Sequence, residues 1–264
     1  MRYFPFKSQK ELDLMGDLSA LKEAAVVIVG GGGLAQPGAM TDALNKLADP
    51  ARNYKLVAWG VGADKETNRN GILTPADADP NLHQAYDGFD IVGTRIHSPE
   101  NYNGDKRFRW VPCASSLHPA LLKFRDVKPS ESIGFYAHKR VAIPMKDIRD
   151  IARSRGQKAF MGRLPRDDNS GNNIEAKLAF MARFEYIVTN SYHGVFWATL
   201  LRRKVVCVPF KNGLFSFRHK PAYLSVESPE RAFDEAQVYP DALDECRAAN
   251  IDFYCDIRAE LGDV

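Results

Sequence analysis

The sequence lacks the features that would mark a secreted or membrane-spanning protein. None of its apolar runs approaches the roughly 20 residues that a transmembrane helix needs. No positively charged segment followed by an apolar one stands at Met1, so no secretion signal is predicted. We therefore expect a cytoplasmic protein, and loose contact with an anionic membrane surface stays compatible with the sequence.

Cysteine and net charge are also scarce. The four cysteines form no Cys-x-x-Cys pair and stand near no histidine at zinc-ligand spacing, which predicts reduced thiols and no metal site. The 36 lysines and arginines against 33 aspartates and glutamates give a net charge of +3, far from the basic surface of a nucleic-acid-binding protein. With 45% apolar residues, the chain can form a core without disulfides or metal.

What the sequence does contain is an alternation of short apolar strands and amphipathic helices. This alternation is typical of parallel α/β sheets, in which ligands bind beyond the carboxyl ends of the strands. The polar segment 124–132 divides the chain into two such units, at 1–128 and 129–264. Strands are predicted at 25–29, 56–59, 90–95, 108–112, 132–137, 158–162, 186–188 and 205–208, with 163–173 as a loop.

Glycines follow the first predicted strand without forming a known nucleotide fingerprint. Gly31 and Gly33 fit a Gly-x-Gly-x-x-Gly pattern, but Gln36 occupies the third glycine position. No Gly-Lys-Ser/Thr sequence follows, so this is not a P-loop either. Gly31, Gly32 and Gly33 are predicted to allow close backbone approach to a ligand or to a neighbouring strand.

The most informative segment is 184–201, which is predicted to form a strand, a sharp turn and a helix. Ser191 stands at the predicted helix cap, and His193 and Gly194 fall in the first turn. Backbone N–H groups are unpaired at such a helix start and favour an anion. An imidazole there can both bind an anion and move a proton. The alternative is that Ser191 caps the helix and His193 is a partly buried surface histidine.

Basic residues stand at three other predicted strand ends or loops. Such residues can bind an anionic ligand, but a charge run is often only a solvated surface. The loop 211–220 could close over a phosphorylated substrate or be an ordinary surface loop. Its phenylalanines Phe215 and Phe217, if exposed, could stack on sugar rings. The candidate anion ligands are Arg95, His138, Lys139, Arg140, Arg218 and Lys220.

Three blocks of the chain resemble the polysaccharide pyruvyltransferase family. The first is the strand 26–29 running into its glycines, and the second is 91–95 followed by 111–114. The third and most specific is 186–194, which ends in Ser191-Tyr192-His193-Gly194. Length and block order are most similar to the family's ketal pyruvyltransferases of xanthan assembly.

This resemblance implies two Rossmann-like domains in a GT-B-like arrangement, with the acceptor on the amino-terminal side and the donor on the carboxy-terminal side. It implies His193 as the catalytic residue, phosphoenolpyruvate as co-substrate and no further cofactor. The acceptor implied is a terminal sugar, mannose bridged at its 4- and 6-hydroxyls, on a lipid-linked exopolysaccharide repeat unit. An enzyme with that acceptor would work at the inner face of the cytoplasmic membrane.

The sequence departs from the family pattern in three places. Relatives often carry an arginine shortly before the histidine, where this chain has Ser191 or Tyr192, so another residue must contribute to anion binding. His138 stands where relatives often have an arginine at a strand end. The family's usual first strand and turn would precede Met1, so the amino-terminal domain is expected to lack that strand.

Two other function classes stay open at this point. A GT-B glycosyltransferase using a nucleotide sugar would have the same architecture, although no acidic residue is clearly placed to bind a ribose. A non-catalytic polysaccharide-binding protein is the second alternative. Binding of phosphoenolpyruvate, rather than of a nucleotide sugar or of neither, would distinguish the three.

Overall fold

Two parallel β-sheets organise the chain. The computed structural model describes residues 21, 23–35, 39–63, 86–97, 104–139, 141, 143, 145–156, 164–225 and 227–261. The predicted strand 158–162 and the candidate ligand Arg140 lie outside these residues. Both sheets are α/β in construction, as the alternating pattern predicts.

The first sheet has the strand order β1-β3-β4-β5, with every pair parallel. The predicted strands of the first half are confirmed. β4 is buried along its whole length, as its apolar run predicts. The expectation that β1 is buried on both faces is wrong, because β1 is an edge strand and Ile28 is 45% exposed. The elements are β1 (Val26–Gly30), β2 (Gly33–Ala35), α1 (Ala39–Leu47), β3 (Lys55–Ala63), β4 (Ile91–Thr94) and β5 (Phe108–Trp110).

The glycine run after β1 continues that edge of the sheet. Gly31 and Gly32 have φ angles of +71° and +78°, which residues other than glycine rarely adopt. The Gly31 N–H donates to the Trp59 carbonyl, and the Gly32 carbonyl accepts from the Gly62 N–H. The two glycines therefore form an irregular step, after which β2 pairs with the end of β3.

The second sheet has the parallel strand order β10-β9-β8-β6-β7. One prediction is wrong: residues 166–168, expected in a loop, form the edge strand β7, because backbone pairing to β6 overrides their polar composition. The elements are a 3₁₀ helix (Ala114–Leu117), α2 (Ala120–Phe124), β6 (Glu131–Ala137), α3 (Met145–Ser154), β7 (Arg166–Asp168), α4 (Ile174–Ala182), β8 (Phe184–Thr189), α5 (Tyr192–Leu200), β9 (Lys204–Cys207), a second 3₁₀ helix (Asn212–Phe215), β10 (Ala222–Tyr223), α6 (Pro229–Glu235) and α7 (Ala242–Leu261).

The strand order places a topological switch point between β6 and β8. The chain leaves β6 to form β7 on one side and then returns to form β8 on the other. In open α/β sheets the crevice at such a point is the usual ligand site. The carboxyl ends there, Ala137 and Thr189, lead directly into His138 and into the start of α5.

Helix α7 packs against both sheets. Leu243 and Cys246 belong to the core around α5. Phe253 and Ile257, further along the helix, pack instead against β3 and β4, where the Phe253 ring meets Trp59 edge to face at 5.1 Å. This helix therefore ties the two units together. Over the described ranges, every helix is too short or too polar to cross a bilayer.

Candidate functional site

The start of α5 is formed by close packing of the helix on β8. Gly194 lies against Thr189, and a Cβ at this position would overlap the Thr189 hydroxyl. The same hydroxyl accepts a hydrogen bond from the Ser191 N–H at 3.0 Å. Ser191 is the N-cap residue, but its side chain makes no capping hydrogen bond. Gly194 is thus required for packing, while the buried Ser191 hydroxyl is left for another partner.

His193 is the one residue of α5 that is not fully buried. Its Nε2 lies 3.6 Å from the sulfur of Cys113, which comes from the segment after β5. The Ser115 hydroxyl lies 3.2 Å from the same sulfur and accepts from the Trp197 indole N–H at 2.9 Å. The Trp197 and His193 rings are 4.7 Å apart, one helical turn from each other. These four side chains form a closed ring of contacts between the two units.

The contact with His193 changes the acidity of the Cys113 thiol. Burial alone would raise the pKa of this thiol. The hydrogen bond and charge of His193 outweigh burial and, with the Ser115 hydrogen bonds, lower the Cys113 pKa to about 6. The Cys113 thiol can therefore ionise near neutral pH.

A buried asparagine of α7 holds the Cys113 segment in place. Asn250 is fully buried, and its side-chain amide donates to the Pro112 carbonyl and to the Ser116 hydroxyl, both at 3.2 Å. Its side-chain oxygen accepts from the Trp59 indole N–H at 2.7 Å. The Cys113 backbone also passes close to Gly60, where an added Cβ would lie 3.4 Å from the Cys113 Cα.

A cavity open to solvent, with about 310 Å³ of empty space including that open part, is lined by residues from the ends of β4 and β5, from α5 and from the loop after β9. Tyr192 and Pro112, the sequence neighbours of His193 and Cys113, line it. Arg95 enters it from the end of β4, with its guanidinium 3.7 Å from the centre of the Tyr192 ring. Arg95 is only 6% exposed, and no carboxylate or other acceptor within the described ranges pairs with its guanidinium. A buried, unpaired cation in a cavity is a candidate anion site.

The loop after β9 forms another wall of this cavity. Arg218 lines it, but its Nε donates to the Glu245 carboxylate at 2.9 Å. Phe215 and Phe217 are buried, so the expectation that they are exposed is wrong: the Phe215 ring packs on Tyr223, and the Phe217 ring stacks on Tyr192 in the cavity wall. Lys220 uses its backbone carbonyl to accept from the Tyr239 hydroxyl, and its side chain is exposed.

The other predicted ligands lie away from the cavity wall. The His138 N–H donates to the Asn190 side chain at 2.7 Å, at the switch point, and the His138 ring packs on Phe210. Lys139 is exposed. Gly31, Gly32 and Gly33 serve the β1–β2 step. Among the described side chains, no group of three or more His, Cys, Asp or Glu residues is arranged to bind a metal ion.

Sequence reasoning missed Cys113, Ser115 and Trp197. Cys113 follows a predicted strand end in one of the three family-like blocks, a position that could have marked it as a site residue. Its partner His193 is 80 positions later in the chain, so their contact depends on how the two units pack.

Similar solved structures are enzymes of the GT-B type. UDP-GlcNAc 2-epimerase from Neisseria meningitidis, with UDP-GlcNAc bound, matches with a TM-score of 0.53 at 10% identity, over 97% of this chain and 83% of that one. A Listeria monocytogenes protein assigned as a UDP-N-acetylglucosamine 2-epimerase matches with a TM-score of 0.51 at 14% identity, over 92% and 73% of the two chains. At these identities the likeness shows the fold alone, which is GT-B-like, as predicted.

A sequence search among curated proteins finds no match. The model of the family described as polysaccharide pyruvyl transferase matches residues 2–212. That range covers well over half of the chain and includes Arg95, Cys113 and His193. The chain therefore belongs to the polysaccharide pyruvyl transferase family.

Proposed function

We propose that this transferase moves the pyruvyl group of phosphoenolpyruvate onto two hydroxyls of one sugar and closes a cyclic ketal. The observation that carries the proposal is the buried, unpaired Arg95 guanidinium on Tyr192, next in sequence to His193. Phosphoenolpyruvate is the only co-substrate in this proposal, and no metal or organic cofactor takes part.

Arg95 supplies the charge that the sequence around His193 lacks. Relatives often carry an arginine shortly before the histidine, where this chain has Ser191 or Tyr192. Here the Arg95 guanidinium, from the end of β4, stacks on the Tyr192 ring. Phosphoenolpyruvate carries a carboxylate and a phosphate, and the start of α5 offers unpaired N–H groups for one of them. The donor would thus contact both units, rather than the carboxy-terminal unit alone.

His193 is the proposed general acid and base. Protonation of the methylene carbon of phosphoenolpyruvate makes C2 electrophilic, and an acceptor hydroxyl then attacks it. We expect His193→Ala to lower kcat by about 100- to 10,000-fold, the usual range for a lost acid–base group. The variant should melt at a temperature close to that of the wild type, because His193 is the partly exposed residue of α5. Near-normal turnover by this variant would exclude the role.

The finer substrate assignment rests on resemblance to the xanthan branch of the family. We propose a terminal mannose, bridged at its 4- and 6-hydroxyls, on a lipid-linked exopolysaccharide repeat unit. Such an acceptor would bring the enzyme to the inner face of the cytoplasmic membrane as a peripheral protein. Parallel assays with a free mannoside and with the lipid-linked unit would separate the sugar requirement from the lipid requirement.

Donor binding is tested by thermal unfolding of the full chain with phosphoenolpyruvate, UDP- and GDP-sugars, and inorganic phosphate. A ligand present at about 100 times its Kd should stabilise the fold by about 2.7 kcal/mol, a readily measured rise in Tm. Stabilisation by phosphoenolpyruvate supports the proposal. Stabilisation only by a nucleotide sugar would favour a glycosyltransferase, and stabilisation by none of them would favour a polysaccharide-binding protein.

A further inference from the structure

We propose that Cys113 is a second catalytic group of this site, which exchanges protons with the substrates together with His193. The inference rests on the proposed pyruvyl transfer and adds a residue with no assigned role. It stands on geometry: the sulfur of Cys113 lies 3.6 Å from Nε2 of His193 and 3.2 Å from the Ser115 hydroxyl.

The surroundings of the thiol favour chemistry over mere packing. Cys113 is partly exposed and directly follows Pro112, which lines the cavity, whereas Cys207 and Cys246 are buried. The titratable groups around it are His193 from α5 and Cys246 from α7. Burial raises the pKa of Cys246 to about 12, so that thiol stays protonated and adds no charge. His193 is therefore the ionic partner of Cys113.

Ketal formation removes one proton from each of the two acceptor hydroxyls and delivers one proton to the methylene carbon and one to phosphate. The Cys113–His193 pair can carry out all four transfers. The cycle starts from the protonated thiol beside a neutral imidazole, a form that an ionised pair reaches when the proton on His193 moves to the sulfur. In the first half, C2 bonds to one acceptor hydroxyl, the Cys113 thiol protonates the methylene carbon, and His193 takes the hydroxyl proton. A thiolate and an imidazolium then stand side by side. In the second half, the C2–O bond to phosphate breaks and phosphate leaves with the electron pair and the proton of His193. The second hydroxyl adds to C2 and returns a proton to the thiolate.

The scheme restores both residues to their starting state and balances the reaction. The proton that the thiol gives to the methyl group is replaced by the proton of the second hydroxyl. The proton of the first hydroxyl leaves on phosphate. The thiolate–imidazolium intermediate matches the observed contact, because an opposite charge nearby stabilises each ion. A thiol with no imidazole beside it would be a weaker acid for the first step.

The first test measures the pair without requiring turnover. The rate of iodoacetamide alkylation at Cys113 is followed by peptide mass analysis from pH 5 to 9 in a Cys255→Ser variant, which removes the exposed competing thiol. We expect the rate to rise with a midpoint near pH 6. In His193→Ala the midpoint should move up toward the ordinary thiol value of roughly 8.5. If the midpoint of Cys113 alkylation is the same with and without His193→Ala, the pairing of Cys113 with His193 is overturned.

The second test measures the role in turnover. Cys113→Ser should lower kcat about 100-fold or more while changing KM for phosphoenolpyruvate little, and Cys255→Ser should leave both unchanged. Ser115→Ala, which keeps the thiol, should raise the alkylation midpoint and lower kcat less. A folded Cys113→Ser enzyme with wild-type kcat would overturn the proposal.

The outcomes distinguish failure of this inference from failure of the proposed function. Protection of Cys113 from alkylation by phosphoenolpyruvate would support both. Donor binding and ketal formation that survive in Cys113→Ser would leave the function standing and remove Cys113 from it. If wild-type protein neither binds phosphoenolpyruvate nor forms a ketal, the function fails, and with it the catalytic role of Cys113, whatever the alkylation profile shows.

Discussion

Arg95 and Arg218 line the same cavity, yet their charges meet different surroundings. Arg218 donates to Glu245, and its side chain is 43% exposed. Its guanidinium also lies over the Trp110 ring at 4.8 Å. Arg95 is 6% exposed and stacks on Tyr192 with no anionic partner within the described ranges. Two arginines that looked equivalent in sequence therefore differ in how much charge they can offer a ligand.

This difference shows which of the two arginine charges is not compensated by a carboxylate. An exposed ion pair such as Arg218–Glu245 contributes little to stability, typically about 0–1 kcal/mol. An uncompensated buried charge is destabilising by several kcal/mol, although the Tyr192 ring offsets part of this cost for Arg95. An anionic ligand at Arg95 would relieve the remainder, which is why the substitutions below are compared by their effect on phosphoenolpyruvate binding.

The largest difference should appear between Arg95→Gln and Arg218→Gln. Loss of a charge-assisted hydrogen bond in a buried site removes about 1.5–3 kcal/mol. We therefore expect the Kd of phosphoenolpyruvate to rise about 10- to 100-fold in Arg95→Gln, measured by titration calorimetry. Arg218→Gln should raise Kd less than about fivefold, because its charge is already shared with Glu245. Equal losses in the two variants would remove the distinction drawn here.

A smaller effect is expected when Arg95 is displaced rather than removed. A Cβ added at Gly62 would lie 2.5 Å from the Arg95 Nε, so Gly62→Ala should push the guanidinium off its position. We expect Kd for phosphoenolpyruvate to rise about three- to tenfold through this overpacking. The matched control is Gly30→Ala, also in a strand of the first sheet, where an added Cβ meets nothing within 4 Å. Comparable weakening in both variants would mean that the site of Arg95 is not the donor site.

The smallest effect should have the opposite sign. Glu245→Gln removes the carboxylate that pairs with Arg218 and contacts His219. Freed from its partner, Arg218 should make the cavity more attractive to an anion, and Kd should fall about two- to fivefold. The effect should shrink at high salt, because these side chains are partly exposed. Weaker binding in this variant would show that Glu245 positions the loop rather than competing for its charge.

Most of the fold could be predicted from local pattern. Continuous apolar runs located strands such as β4 and β8, because burial on both faces demands them. The edge strand β7 could not be found this way, since Arg166, Asp167 and Asp168 join the sheet only through backbone pairing with β6. The packing of α7 on the first sheet could not be predicted either. Helical spacing of apolar residues shows which face of a helix is buried, but it does not show which element packs against that face.

The sequence by itself predicted most of the elements, the family, and His193 and Arg95 as candidate site residues. Arg95 directly follows the end of β4, and His193 lies in the first turn of the helix after β8; both positions are local features. Only the tertiary structure decided that Arg95 meets Tyr192, that Cys113 meets His193, and that Arg218 is paired with Glu245. These contacts join side chains 27 to 97 positions apart along the chain. Their energies depend on burial and on the packing of the two units, which no local pattern encodes.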